Sequence, residues 1–152
     1  MKTANILSAT SQSTHSTNLA IKGITEPVVL RYFETMNAGE YETTAALFAD
    51  TGAMYPPFEE AIVGKETIAA YLKAEAKGMR LFPKEGIVRV LENKQAQFLV
   101  TGKVQTPLFG VNVSWTFVLS QEQKIISATI KLLASPQELL KLQNKQLESY
   151  TD

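Results

Sequence analysis

The sequence has no cysteine, one histidine and one tryptophan in 152 residues. Without cysteine there is no disulfide, no thiolate nucleophile and no cysteine-based metal site. The one histidine, His15, stands in a polar stretch away from any candidate pocket, so neither a zinc site nor a histidine-based acid–base dyad is expected. Neither sign of charge is in excess: 15 Lys and Arg residues balance 15 Asp and Glu residues. No basic stripe or block occurs, which argues against a nucleic-acid surface. No apolar run reaches the length of a membrane span, and the N-terminus has no signal-peptide hydrophobic region, so a soluble cytoplasmic protein is expected. Internal repeats and phosphate-cradling glycine loops are missing as well.

What is present divides into a tail and one domain. Residues 1–20 are dominated by Ser, Thr, Asn and Gln and bury too little surface to offset ordering entropy; a disordered tail is expected there. One domain is expected over residues 21–148, with a short tail at 149–152. Thr25 is the expected N-cap of a first helix with Pro27 early in it. Val28, Val29, Tyr32, Phe33 and Met36 recur on one face of that helix, and Asn37-Ala38-Gly39 ends it. A second short helix is expected over about 41–48. Gly52-Ala53-Met54-Tyr55 reads as a brief strand stopped by Pro56-Pro57, residues 58–63 as a loop or edge, and roughly 65–77 as a third helix ending at Gly78.

Strands follow at 79–82, which ends at Pro83, and then at 87–91, 95–106, 111–120 and 124–133, with Gly102 read as a bulge or bend. Ser135-Pro136-Gln137-Glu138 is a capping box that opens a C-terminal helix bearing Leu139, Leu140, Leu142 and Leu147. Three helices with one early strand, a meander of strands and a closing helix make an α+β order. A curved sheet wrapped around helices in that order forms a cone that can enclose an apolar pocket.

Trp115 lies in the cleanest strand, Val111-Asn112-Val113-Ser114-Trp115-Thr116-Phe117-Val118-Leu119, where odd positions are apolar and most even ones polar. This period of two points Trp115 inward with Val113 and Phe117. An inward indole carries an N–H donor that needs an acceptor, either a backbone carbonyl or a ligand. Tyr32 has the same character, a large apolar body with one donor at its tip. If the first helix packs inside the cone and the Trp115 strand forms its wall, the two tips converge on one acceptor such as a ketone oxygen. The alternative places Tyr32 at the rim and bonds Trp115 to backbone; spacing does not choose between them.

A catalytic reading needs a base, and no inward strand position is acidic: Phe98, Val100 and Val104, then Val113, Trp115 and Phe117, then Ile126, Ala128 and Ile130. Asp50, Glu59 and Glu60 fall at turns or in a polar loop. A pocket with donors and no base favours binding over catalysis, so the chain is read as a non-enzyme. The rival readings are a small-molecule isomerase or hydrolase acting on a steroid-like or terpenoid substrate, and a colourless dimerisation module.

Several motifs together resemble one family. Leu47-Phe48-Ala49, Pro56-Pro57-Phe58, Ile62-Val63-Gly64-Lys65-Glu66, Thr101 to Pro107 and Leu132-Leu133-Ala134-Ser135-Pro136 are similar to the C-terminal domains of cyanobacterial orange carotenoid proteins, from about Ile21 to about Leu142. The resemblance implies a nuclear-transport-factor-2-like cone and a keto-carotenoid ligand such as canthaxanthin or echinenone. It places the family's two keto-oxygen donors on Tyr32 and Trp115. It also implies a stand-alone carrier that forms a homodimer around one pigment, exchanges it with helical carotenoid proteins and, by transient contact, with membranes, and quenches singlet oxygen. Leu81, Val104, Leu108, Phe109 and Ile130 are the expected pocket walls. One departure is at the turn, where the family's aromatic is replaced by leucine in Thr106-Pro107-Leu108-Phe109-Gly110; another is a shorter segment from Gly110 to Trp115, which reshapes the mouth.

Overall fold

The computed structural model describes residues 19–133. Of the expected tail at 1–20, residues 1–18 lie outside the described residues, as does the expected leucine-rich helix after Ser135; Leu19, at the end of that stretch, packs against the core. Between them run helix α1 (Pro27–Ala38), helix α2 (Tyr41–Ala46), strand β1 (Phe48–Tyr55), strand β2 (Ile62–Val63), helix α3 (Lys65–Glu75) and strands β3 (Arg80–Val90), β4 (Ala96–Gln105), β5 (Gly110–Leu119) and β6 (Ile125–Leu133). The strands form one six-stranded sheet in the order β2-β1-β6-β5-β4-β3. Neighbours are antiparallel except β1 and β6, which are parallel.

Helix α1 buries Val29, Tyr32, Phe33 and Met36, the face expected from their spacing. Its N-cap is Glu26 rather than Thr25: the Glu26 carboxylate accepts from the Val28 N–H at 3.2 Å, and Pro27 follows as the first helical residue. At the other end Gly39 adopts φ 75°, the left-handed conformation that closes a helix. Helix α2 stops at Ala46, earlier than expected, and Phe48 is instead the fully buried first residue of β1.

Two further boundaries differ from expectation for reasons of sheet position. Pro83 does not end a strand, because β3 is an edge strand and Pro83 needs no ladder partner on its outer side. The pairing instead slips by one residue between Pro83 and Glu85, opposite Gly102 and Thr101. A Cβ on Gly102 would lie 2.2 Å from the Phe82 carbonyl oxygen, so the bend requires glycine there. In β6 the inward residue is Ile125, not Ile126. Leu119 pairs with Ile125 and Val118 with Ser127, so Ile126 is the extra residue of a bulge that resets the alternation before Ala128.

The inner face of the sheet meets α1 through Phe98, Val100, Val113, Trp115, Phe117 and Ala128. At its centre four rings pack edge to face. Phe33 lies 4.8 Å from Trp115 and 5.7 Å from Phe117, while Tyr32 lies 4.9 Å from Phe117 and 5.3 Å from Phe33. Leu19, Ile21 and Ile24 also pack against this core.

Candidate functional site

Two rings of the four-ring cluster, Tyr32 and Trp115, form the floor of a cavity, with Phe33 and Phe117 packed against them. Tyr32 and Met36 reach it from α1, Met54 from β1, and Tyr71, Leu72 and Glu75 from α3. The sheet supplies Leu81 from β3, Val104 from β4, Val111, Val113 and Trp115 from β5, and Ile130 and Leu132 from β6. Pro56, Pro57 and Phe58 form one lip, and Met79, Thr106 and Phe109 another part of the rim. The volume is about 320 Å³, at the lower end of the range of about 300–1,000 Å³ that small-molecule sites occupy. A larger groove of about 1180 Å³ runs over the outer face of the sheet, but charged and polar chains such as Lys84, Glu85, Lys103 and Asn112 line it. The smaller, apolar cavity is the candidate site.

Depth separates its functional groups. Tyr32 and Trp115 are each 1% exposed and sit at the floor. Among the described residues neither the Tyr32 hydroxyl nor the Trp115 indole N–H makes a hydrogen bond; neither is sealed away as an unpartnered buried atom, and both side chains line the cavity. Burial, with a smaller contribution from Tyr71, raises the Tyr32 phenol pKa well above its ordinary value, so it stays protonated and can donate.

The rim is different in character. The Tyr71 hydroxyl donates to Glu59 Oε2 at 3.0 Å, and burial together with Glu59 and Glu75 raises its pKa also. Phe58, 69% exposed, holds φ 62° immediately after Pro56-Pro57, a conformation that costs a non-glycine residue energy.

Two polar devices set the walls. At the end of α1, Asn37 Nδ2 donates to the Leu81 carbonyl at 2.8 Å and Asn37 Oδ1 accepts from the Leu81 N–H at 2.7 Å. This amide pairs with the β3 edge as a strand would, and it holds Leu81 on the wall. In the turn after β4, Thr106 Oγ1 accepts from the N–H groups of Leu108 and Phe109 and donates to the Phe109 carbonyl. Phe109 is thereby on the rim, whereas Leu108 is 87% exposed and does not line the cavity. The expectation for Leu108 is corrected: the tight turn aims it at solvent.

Of the other expected positions, the structure brings Tyr32, Trp115, Leu81, Val104, Phe109 and Ile130 onto one cavity. Sequence reasoning missed Met36, Met54, Val111, Val113, Tyr71, Glu75 and Leu132 as lining. Helical spacing from Tyr32 points to Met36, and strand alternation from Trp115 and Ile130 points to Val113, Val111 and Leu132. Helical spacing likewise puts Glu75 on the face of Tyr71 and Leu72, and Glu75 contributes the one acidic group among the described lining residues. The expectation of a pocket without a carboxylate thus holds for the strands and fails at the rim.

A nuclear transport factor 2 (NTF2) domain matches residues 24–130. The orange carotenoid-binding protein of Limnospira maxima is 42% identical over 130 residues, covering 83% of this chain and 41% of that protein. Its counterpart from Synechocystis sp. (strain ATCC 27184 / PCC 6803 / Kazusa) is 42% identical over 128 residues, covering 82% and 40%. The canthaxanthin-binding Orange Carotenoid Protein of Anabaena (Nostoc) sp. PCC 7120 superposes with a TM-score of 0.74 at 39% identity, over 81% of this chain and 40% of that one. The chain spans about two fifths of the length of the curated relatives it matches, and the matched part is their C-terminal domain.

Proposed function

Within the nuclear transport factor 2 domain family, to which this chain belongs, we propose that it binds a keto-carotenoid, canthaxanthin or echinenone, with Tyr32 and Trp115 donating to the ring ketone. One observation carries the reading. Two donors stand at the floor of a cavity whose walls are apolar and whose other polar groups lie at the rim, with no hydrogen bond to a described residue, in a chain similar to carotenoid-binding proteins. A ketone oxygen has two lone pairs, one for each donor.

Energetics assign the parts their roles. Each hydrogen bond contributes only about 0.5–1.5 kcal/mol net. Apolar burial is favourable by roughly 25 cal/mol per Å², so burial sets affinity and the donors set register and colour. A carotenoid is a rod about as long as a domain of this size is wide, given a radius of gyration near ~15 Å. One cavity therefore shelters about half of it. A homodimer in which a second copy covers the other half suits a pigment ketolated at both ends, because a two-fold interface is self-complementary. In this reading the protein carries pigment to helical carotenoid proteins and has a photoprotective, singlet-oxygen-quenching role.

Co-expression with a keto-carotenoid pathway tests the proposal. A red or violet soluble protein is expected, with poor loading in a matched strain that makes only β-carotene, which has no oxygen to bond. Equal loading from both strains would remove the role given to the two donors. Colourless protein from both would remove carotenoid binding.

A further inference from the structure

We propose that the same cavity takes a half-length ligand, one molecule per chain: a ring-ketone terpenoid with about half a carotenoid's carbon skeleton, ending in a hydroxyl and not in a carboxylate. The inference rests on reading Tyr32 and Trp115 as ketone donors, but not on the shared rod.

Size comes first. A volume of about 320 Å³ suits one substituted ring and a short chain, not a whole carotenoid. A half-length ligand leaves little apolar surface in water, so a second protein copy is not needed to cover it. Met36, Met54 and Met79 on the wall are unbranched and adapt to irregular outlines such as a methylated ring.

Polarity then runs along the cavity. The floor offers donors, Tyr32 and Trp115, each 1% exposed, which select an acceptor on the ring. The rim offers acceptors: Glu75 lines it, and Glu59 already accepts from Tyr71 at 3.0 Å. No Lys or Arg is among the described lining residues. A ligand hydroxyl at the rim donates to a carboxylate there. A ligand carboxylate there meets the like charge of Glu75 and no counter-charge among the described lining residues, which disfavours it.

The test titrates ligand-free protein with 4-oxoretinol, with retinol, which lacks the ring ketone, and with 4-oxoretinoic acid, which carries the terminal carboxylate. Trp115 is the one tryptophan in the chain, so its fluorescence reports this site alone. Saturable quenching at one 4-oxoretinol per chain is expected. Retinol should bind about tenfold more weakly, the worth of roughly one to two net hydrogen bonds, and 4-oxoretinoic acid also more weakly than the alcohol. Tyr32→Phe should bring 4-oxoretinol towards the affinity of retinol. Glu75→Lys, at the exposed rim, should reverse the preference between alcohol and acid, and near-ultraviolet circular dichroism verifies that each variant is folded.

Quenching that does not saturate at one per chain, equal affinity for 4-oxoretinol and retinol, or an unchanged order in folded Glu75→Lys would each overturn the inference. Failure here is distinct from failure of the carotenoid reading. Coloured protein from co-expression without retinoid binding sinks only the half-length ligand. Retinoid binding by a protein that never loads a keto-carotenoid sinks only the rod.

Discussion

Tyr32 and Trp115 pack in the core and, on the proposed binding mode, also donate to the ligand; substitution by phenylalanine separates the two roles. Either change keeps most of the apolar surface and removes one donor, so occupancy should fall by no more than about 1 kcal/mol of one net hydrogen bond. On the proposed binding mode the absorption maximum of loaded Tyr32→Phe or Trp115→Phe moves to shorter wavelength, because less negative charge is stabilised on the ketone at the end of the polyene. The double variant should move further than either single one. Spectra and pigment-to-protein ratios check this; unchanged spectra would leave both residues with packing alone.

The Tyr32 phenol also gives a pH dependence. Burial raises its folded-state pKa above the ordinary value of about 10, so above about pH 10 the folded chain keeps a proton that the unfolded chain releases. Its stabilising contribution is present in full below that pH and is lost as the pH rises through the folded pKa. Tyr71 adds a second such group, held up by burial and by Glu59. Urea midpoints measured upward from pH 9 should decline less steeply in Tyr32→Phe than in the parent. An identical decline would mean that the phenol is not protected by burial.

At the scale of elements, the cavity depends on how α1 is fastened to the edge strand. Asn37 makes two hydrogen bonds to the backbone of Leu81, so Asn37→Ala should cost about 2 kcal/mol, read as a lower urea midpoint. On the proposed binding mode it should also broaden the pigment band, because Leu81 is no longer held. The bend of the β3–β4 pair is fixed by sterics instead. At Gly102 an added methyl would approach the Phe82 carbonyl to 2.2 Å, and backbone cannot swing aside as a side chain can. Gly102→Ala should therefore destabilise by roughly 1–3 kcal/mol, in the range of overpacking changes. A neutral result in thermal unfolding would mean that the edge strand moves freely.

For the whole molecule, the proposed sharing of one pigment between two half-length cavities makes a prediction about assembly. Holoprotein loaded with a diketo-carotenoid should contain about one pigment per two chains, while ligand-free protein should dissociate more readily on dilution because the shared ligand links the copies. Native mass spectrometry separates these states. A monomeric holoprotein with a full pigment on each chain would end the shared-rod argument. Among the described residues no helix is long and apolar enough to cross a membrane. On the proposed reading an apolar rod enters over the rim of the cavity, where Phe58 and Phe109 are 69% and 51% exposed.

Local pattern by itself determined the α+β order, the buried face of α1 and the inward run Val113, Trp115, Phe117, because helical and strand periods are written in neighbouring residues. Residue chemistry offered Tyr32 and Trp115 as a pair with one alternative open, and motif resemblance led to the family and to the same pair. Tertiary structure decided what depends on sheet position. Pro83 sits inside a strand because that strand is an edge, and Ile125 replaces Ile126 in the core because a bulge shifts the register. It also decided which apolar residues face the cavity: Phe109 and Leu108 are adjacent, and only the hydroxyl-bonded turn at Thr106 sends one to the rim and the other to solvent. Glu75 shares a helix face with Tyr71 and Leu72 by helical period. That this face borders the cavity follows from how α3 packs across the sheet, a long-range arrangement that no local period records.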